Sequence, residues 1–196
     1  MTTRGNLGWI AGLCLAVGGW GCASRKEAAE PQQAPPTGQK EAPAVGQKET
    51  PGSLACSLSV APRFKVGEPV MVRFQLTNST AQALHVLDWH TPFEGLLNNF
   101  LQVTRDGVDI PYQGPMLKRG DPTAEDYVSI APGASADAQV EASLAYDFSQ
   151  PGHYRIAFRN ELLDVATAKA ELPHTRGGFK PMTLQCPAVE TTIVTP

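Results

Sequence analysis

Short alternating runs of apolar and polar residues, separated by proline and glycine, fill the chain from Leu54 onward. In residues 70–77, valine, phenylalanine or leucine stands at every second position from Val70 to Leu76. Alternation with a period of two places successive side chains on opposite faces of a β-strand, so one face is buried and the other meets water. This part of the chain has no comparable helical period, so the pattern predicts an all-β fold.

The alternating runs predict eight or nine short strands. Asp106 and Gly107 stand between two runs and predict a tight hairpin, since both residue types tolerate the positive φ angles of a two-residue turn. Residues 160–170 could form a short helical turn instead. Eight or nine short strands in about 140 residues are typical of an antiparallel sandwich. The runs lie at residues 54–60, 70–77, 83–88, 100–104, 108–112, 127–130, 136–144, 153–160 and 182–194.

A local motif at residues 146–158 narrows the fold further. Tyr146 and Asp147 precede a Pro151-Gly152 turn, which leads into an alternating run that contains Tyr154. This order resembles the entry to strand F of immunoglobulin-like domains, where a tyrosine near the strand start is tied to the preceding corner. We therefore predict an immunoglobulin-like antiparallel β-sandwich over residues 54–196. The alternative is an ordinary Pro-Gly turn before a strand.

The first 22 residues have the features of an export signal: a positive charge at Arg4, a short apolar run and small residues around Cys22. Residues 19–22 resemble a bacterial lipoprotein processing site, in which Cys22 would become the lipidated first residue. Gly19 and Trp20 depart from that pattern, so ordinary signal cleavage and a retained apolar N-terminus stay open. We expect an exported protein of the cell envelope, anchored in the outer membrane by its lipid, or else periplasmic or secreted.

Residues 23–53 predict a disordered tether. Val45 is their only aliphatic residue larger than alanine, and proline, glutamine, glutamate and lysine crowd the rest. Such a segment cannot bury enough apolar surface to offset the entropy lost on ordering the chain. Residues 38–43 are also nearly repeated at 46–51. We interpret the segment as a solvated spacer that would hold a folded domain clear of a membrane surface.

Two of the four cysteines, Cys56 and Cys186, fall in the predicted sandwich. In an oxidising compartment they would be expected to pair and to join the first and last strands. Metal binding by the pair is the alternative, but neither has a neighbouring ligand at a C-x-x-C spacing. We expect a disulfide between Cys56 and Cys186, no metal and no cofactor.

The sequence contains no recognisable catalytic motif. Its four histidines stand singly without the H-E-x-x-H spacing of zinc peptidases, and no G-x-S-x-G segment is present. Asp121, Glu125 and Asp126 are the nearest to a calcium-binding set, but their spacing departs from the known loop. His85 alternates with apolar neighbours and is expected to face outward. The sequence therefore predicts a protein that is not an enzyme.

Two connections carry more distinctive side chains than a plain sandwich needs, namely the first loop (residues 88–97) and the second loop (residues 118–127). Large apolar groups beside proline and glycine either fold back over the core or form a binding surface. The alternative, a structural interpretation, is that the two loops pack on each other and hold one end of the sandwich together. The candidate binding residues are Trp89, Thr91, Pro92, Phe93, Glu94, Lys118, Arg119, Asp121, Glu125, Asp126 and Tyr127.

The same loops carry a family resemblance. Residues 87–95, 100–107 and 112–127, continued by shorter matches at 132–133 and 146–154, resemble the N-terminal region of bacterial metalloendopeptidases of the deuterolysin, or aspzincin, family. In that family the region precedes the catalytic domain and is similar to a propeptide. The family's zinc helix and its third acidic ligand have no counterpart in these 196 residues. A similarity search could label the chain a protease, but the resemblance implies a domain without the catalytic machinery.

These observations lead to three hypotheses. The first is a non-catalytic binding domain, anchored to the envelope, that binds or inhibits a metalloendopeptidase or another envelope protein. The second is a structural or carbohydrate-binding envelope lipoprotein. The third is a peptidase relative whose chemistry is not recognisable. Nucleic acid is not an expected partner, because 16 basic residues against 19 acidic ones leave a net charge of only -3. Membrane contact is expected only through the lipid.

Overall fold

The computed structural model describes residues 54–159 and 161–196. The regular secondary structure of these residues consists of β-strands and short 3-10 turns. The predicted signal segment 1–22 with Cys22 and the predicted tether 23–53 lie outside the described residues. The 3-10 turns are Pro92–Glu94, Ala124–Asp126, Ala142–Leu144, Lys169–Glu171 and Arg176–Gly178. The strands are β1 (Leu54–Val60), β2 (Arg63–Lys65), β3 (Met71–Asn78), β4 (Leu84–Leu87), β5 (Leu101–Arg105), β6 (Val108–Ile110), β7 (Tyr127–Ile130), β8 (Ser135–Glu141), β9 (Gly152–Phe158), β10 (Glu161–Leu162), β11 (Val165–Ala166), β12 (Met182–Thr183) and β13 (Val189–Val194).

Two sheets, antiparallel except for one pair of strands, form the sandwich. One has the order β1-β3-β8, and the other has the order β2-β13-β9-β5-β6. The pairing of β13 with β2 is parallel, whereas the other pairings in both sheets are antiparallel. A three-stranded sheet, β11-β4-β7, and a two-stranded sheet, β10-β12, complete the fold. The chain changes sheets between β1 and β2, within a few residues.

This strand order confirms the prediction of an immunoglobulin-like β-sandwich. The order β13-β9-β5-β6 corresponds to strands G, F, C and C′ of a variable-type immunoglobulin sheet, and β1-β3-β8 to strands A, B and E. The predicted corner is also present. The hydroxyl of Tyr154, near the start of β9, donates a 2.6 Å hydrogen bond to the carbonyl oxygen of Gln150. Tyr146 is buried in the core instead, and its hydroxyl donates a 2.8 Å hydrogen bond to the carbonyl oxygen of Leu101 in β5.

The core is built by the alternation that defines the strands. In β3 the side chains of Val72, Phe74 and Leu76 are fully buried, while the residues between them are more exposed. The Phe74 ring lies 5.1 Å from Phe158 of the opposite sheet and 5.4 Å from Phe93 of the first loop. One buried ring therefore joins both sheets to the first loop.

The hairpin predicted at Asp106-Gly107 joins β5 to β6, with φ angles of 49° and 83° at these two residues. The predicted strand at 182–194 is two separate strands, β12 and β13, with Pro187 in the segment between them. A proline there cannot donate a backbone hydrogen bond to a neighbouring strand. Cys186 therefore precedes β13 instead of lying in it. It forms the disulfide with Cys56 of β1, with a Cα–Cα distance of 4.9 Å.

The prediction that His85 faces outward is wrong. All four residues of β4 are buried, and the Nδ1 atom of His85 lies 2.7 Å from the Ser129 hydroxyl on β7. Leu84 and Val86 belong to the main core, while Leu87 on the other face belongs to a second apolar cluster with Trp89. A strand that is covered on both faces has no solvent-exposed face for a polar side chain to occupy.

Candidate functional site

Three segments meet around the indole ring of Trp89. They are the first loop, the second loop and a third segment at residues 161–181, which runs from β10 to just before β12. Trp89 is only 5% exposed. The Arg119 guanidinium of the second loop lies 5.2 Å from the indole centroid, and that of Arg176 from the third segment lies 5.9 Å away. Phe179 approaches the indole at 6.4 Å, edge to face. Trp89 is therefore held by cation–π and aromatic contacts from both other segments.

A nearly buried ion pair joins the first two loops. An Nη atom of Arg119 lies 2.6 Å from a carboxylate oxygen of Glu94, whose side chain is only 2% exposed. The other carboxylate oxygen of Glu94 accepts hydrogen bonds from the His90 N–H at 2.7 Å and the Asn98 amide at 3.1 Å. Because all these donors surround it, the Glu94 charge is compensated inside the loops.

The first loop takes this shape for local reasons. Thr91 caps the 3-10 turn Pro92–Glu94: its hydroxyl accepts the Phe93 N–H at 3.2 Å and donates to the Asp88 carbonyl oxygen at 2.6 Å. Proline suits the first position of such a turn because its missing N–H would have no partner there. The turn places Phe93 toward the core and Glu94 toward the second loop.

The second loop is closed by Asp126 and braced by Arg176. Burial alone would raise the pKa of Asp126, but hydrogen bonds from the Thr123 N–H (2.6 Å) and hydroxyl (2.8 Å) outweigh burial and lower it. The backbone N–H of Asp88 donates to the Asp126 carbonyl oxygen at 2.9 Å, which joins the two loops again. Arg176 donates from Nε to the Gly120 carbonyl oxygen at 2.9 Å and from an Nη atom to that of Arg119.

The third segment is fastened by a buried carboxylate. Asp164 is fully buried and accepts hydrogen bonds from the Tyr127 hydroxyl at 2.6 Å and the Lys180 N–H at 2.8 Å. The Nδ1 atom of His174 lies 2.8 Å from the same carboxylate oxygen as Tyr127. Burial, together with the Asp164 carboxylate, raises the pKa of Tyr127, so the phenol stays protonated and donates. No local sequence pattern marks this network, because its members are separated by 10 to 37 positions.

Within the part of the chain that the structure describes, the Asp88 carboxylate lacks the hydrogen-bond partners that Glu94, Asp126 and Asp164 have. Burial, then the nearby charges of Asp126 and Glu94, raise the pKa of Asp88 to about 6, against the opposing effect of Arg119. One of its carboxylate oxygens is buried and has no hydrogen-bond partner among the described residues. The ionised form is therefore disfavoured at the junction of the first two loops.

Asp88→Asn is expected to stabilise the fold above pH 6. Because the folded pKa exceeds that of an unfolded aspartate, wild-type stability should fall as the pH rises from about 4 through 6. Asparagine removes this loss, so the variant should gain about 1 to 2 kcal/mol at pH 8 and nothing at pH 4, allowing for the solvent that reaches this carboxyl. Urea unfolding at both pH values measures the gain. An equal gain at pH 4 and pH 8 would contradict the assignment.

The candidate binding residues are brought together, but most of them face inward. Trp89, Thr91, Pro92 and Tyr127 are buried; Phe93, Glu94, Arg119 and Asp126 are partly buried; Lys118, Asp121 and Glu125 are exposed. The two loops do pack on each other, as the structural interpretation held.

No group of three or more histidine, cysteine, aspartate or glutamate side chains in residues 54–159 and 161–196 is arranged to hold a metal ion. The same residues include no helix with the length and hydrophobicity that a membrane crossing requires.

Comparison with known proteins finds partial similarity to proteases. The chain is 35% identical over 91 residues to an extracellular protease of Aeromonas hydrophila, covering 46% of this chain and 26% of that protein. It is 28% identical over 89 residues to a probable neutral protease 2 homolog of Arthroderma benhamiae, covering 44% and 24%. For a neutral protease 2 homolog of Coccidioides posadasii, the identity is 27% over 115 residues, covering 58% and 32%. Part of this chain is therefore related in sequence to extracellular and neutral proteases.

The chain spans between about a quarter and a third of the length of these curated relatives. No family model matches it. Among solved structures, the CARDB domain of a Pyrococcus furiosus protein, determined in complex with di-metal ions, matches 74% of this chain and 94% of its own length. The sequence identity is 11% and the TM-score 0.33, so that likeness is too distant to bear on function.

Proposed function

We propose that this chain is an exported, non-catalytic binding domain that acts on an extracellular metalloendopeptidase, as an inhibitor or as a folding partner. The observation that carries the proposal is the sequence relationship of part of the chain to extracellular and neutral proteases. The finer interpretation, a propeptide-like domain separate from a catalytic one, rests on the resemblance of residues 87–127 to the region that precedes the catalytic domain in aspzincins.

The chemistry of the loops supports a binding role over a catalytic one. Most side chains near Trp89 that could act as acids or bases are held by neighbouring groups: Glu94 by Arg119, Asp126 by Thr123, and Asp164 by Tyr127 and His174. Asp88 is the exception, since one of its carboxylate oxygens is buried and has no hydrogen-bond partner among the described residues. A catalytic base must be able to reach the proton that it removes from a substrate. Acids that are surrounded by fixed donors instead make a rigid scaffold, which is what a binding surface needs.

The proposed location is outside the cytoplasm. The Aeromonas hydrophila relative is named an extracellular protease, and the first 22 residues have the features of an export signal. We propose that Cys22 carries a lipid and that residues 23–53 hold the domain away from the membrane. Mass spectrometry of the mature N-terminus tests this proposal. A diacylglyceryl group on Cys22 is the expected result, and cleavage at another position without a lipid would overturn it.

Binding and catalysis are tested with the same protein. The full chain is immobilised, the purified extracellular protease of Aeromonas hydrophila is passed over it, and casein hydrolysis is measured as free chain is added. Retention of the protease, with activity that falls as chain is added, is expected of an inhibitor; retention with improved refolding is expected of a folding partner. Failure to retain the protease would overturn the proposal and favour the glycan-binding alternative. Chelator-sensitive casein hydrolysis by the chain alone would instead show an enzyme.

A further inference from the structure

Adjacent apolar side chains are exposed in a short stretch of the chain just before Arg119. Within residues 115–118, Met116 is 72% exposed and Leu117 is 45% exposed, and Lys118 follows them on the surface. Elsewhere in residues 54–159 and 161–196, the strongly exposed large apolar side chains, Val108 and Leu144, stand singly at a hairpin and a 3-10 turn. Adjacent exposed apolar residues are more informative than single ones, because an isolated exposed apolar side chain is common on protein surfaces.

The stretch is fixed at its N-terminal side by Tyr112. The Tyr112 hydroxyl lies 2.7 Å from the carbonyl oxygen of Pro115 and 3.0 Å from that of Leu96, so its single proton serves one or both of them. Gly114 makes this possible, since a Cβ atom there would lie 2.5 Å from the Tyr112 hydroxyl oxygen and 2.9 Å from the Cβ of Ala145. The tyrosine therefore folds over the glycine and holds the following residues against the first loop.

The C-terminal side is fixed by both arginines. Arg119 is paired with the nearly buried Glu94, and Arg176 of the third segment bonds to the carbonyl oxygens of Arg119 and Gly120. These contacts order the backbone before any partner arrives. A segment that is already ordered loses less conformational entropy on binding, so more of its contact energy appears as affinity.

The backbone of residues 115–118 alternates between bound and free positions. Pro115 accepts a hydrogen bond from Tyr112, and the Leu117 N–H donates to the Leu97 carbonyl oxygen at 3.1 Å. Among the residues that the structure describes, none forms a hydrogen bond with the backbone of Met116 or Lys118. Residues 115–118 lie outside the assigned strands, but their free N–H and C=O groups can pair with another chain, as those of an edge strand do.

We propose that residues 115–118 enter the substrate cleft of the endopeptidase, pairing through the backbone of Met116 and Lys118 and placing the Met116 side chain in an apolar subsite. This inference rests on the proposed function and adds its contact segment. An endopeptidase binds its substrate as a length of chain whose backbone pairs with the cleft and whose side chains fill pockets. The segment offers both features, and its anchored ends oppose the distortion that cleavage would require.

Three variants of the full chain test the assignment against the purified extracellular protease of Aeromonas hydrophila. Met116→Asp should raise the inhibition or dissociation constant at least tenfold, because it would place a charge in an apolar subsite. Val108→Asp is the matched control: it is 70% exposed but lies on β6, and should change the constant less than twofold. Tyr112→Phe should weaken binding severalfold and speed cleavage within 115–118, because it frees the segment while keeping Met116.

A peptide hydroxamate, which occupies the substrate cleft of metallopeptidases, should compete with the wild-type chain. If wild-type chain binds but Met116→Asp behaves as Val108→Asp does, or if the hydroxamate does not compete, this inference is overturned and the proposed function stands. Rapid cleavage of wild-type chain within 115–118 would also overturn it, since the segment would then be an ordinary substrate. If wild-type chain does not bind the protease, both proposals fail together.

Discussion

Asp164→Ala is expected to lower the free energy of unfolding by about 3 to 5 kcal/mol. The substitution leaves the Tyr127 hydroxyl, the Lys180 N–H and His174 without their shared acceptor in a buried position. Each buried donor that loses its partner costs about 1 to 3 kcal/mol, and losing one member of a buried charged network is costly as a whole. Urea unfolding followed by circular dichroism measures the change.

The same variant should loosen the third segment around Trp89. Phe179 and Arg176 reach the indole from the segment that Asp164 fastens. In a background with Trp9 and Trp20 replaced by phenylalanine, the emission of Trp89 should shift to longer wavelength as water reaches the ring. Asp164→Asn, which keeps one acceptor oxygen, should lose about half as much stability. A loss no larger than that of the exposed control Asp109→Ala would show that the network does not fasten the segment.

Removing the disulfide should be the other large perturbation. The bond joins positions 130 residues apart, and a loop of that length reduces the entropy of the unfolded chain by an amount worth at most about 5 kcal/mol. We expect the double variant of Cys56→Ser and Cys186→Ser to lose about 3 to 5 kcal/mol in the free energy of unfolding, measured in guanidinium chloride.

The single variants provide the control for this prediction. Since either substitution breaks the same bond, each should lose nearly as much stability as the double variant, and the losses should not add. Wild-type protein treated with reductant should resemble them. If each serine cost a separate amount, with the double variant equal to their sum, packing around the two positions would explain the loss better than the crosslink.

The β-sandwich was predictable because the residue patterns that specify its strands and turns lie within a few neighbouring positions. Alternation in residues 70–77 identified β3, and the residue types at positions 106 and 107 identified the hairpin between β5 and β6. The covering of β4 was not predictable in this way. His85 lies in an alternating run, which predicts one exposed face. The third segment, more than 70 positions away in sequence, covers that face, and a local pattern cannot predict such a distant contact.

The candidate site was predicted in part. Sequence reasoning identified both loops that meet at Trp89, because large apolar residues in a connection need either a partner or a cover. It could not distinguish those two outcomes. Arg119 and Arg176 provide the cover, and they come from separate segments. The exposed pair Met116 and Leu117 lies just before the second loop, and no sequence pattern marks it, since exposure depends on what the rest of the chain leaves uncovered.

The bond between β1 and the segment before β13 has a mechanical consequence. When the chain is pulled from its two sides, the tension passes from residue 56 directly to residue 186 through the sulfur atoms. The residues between them are bypassed and cannot be drawn out. Of the described residues, only 54–55 and 187–196 lie outside the bond and can lengthen, so β13 would peel from β9 and β2 while the three segments around Trp89 stayed folded.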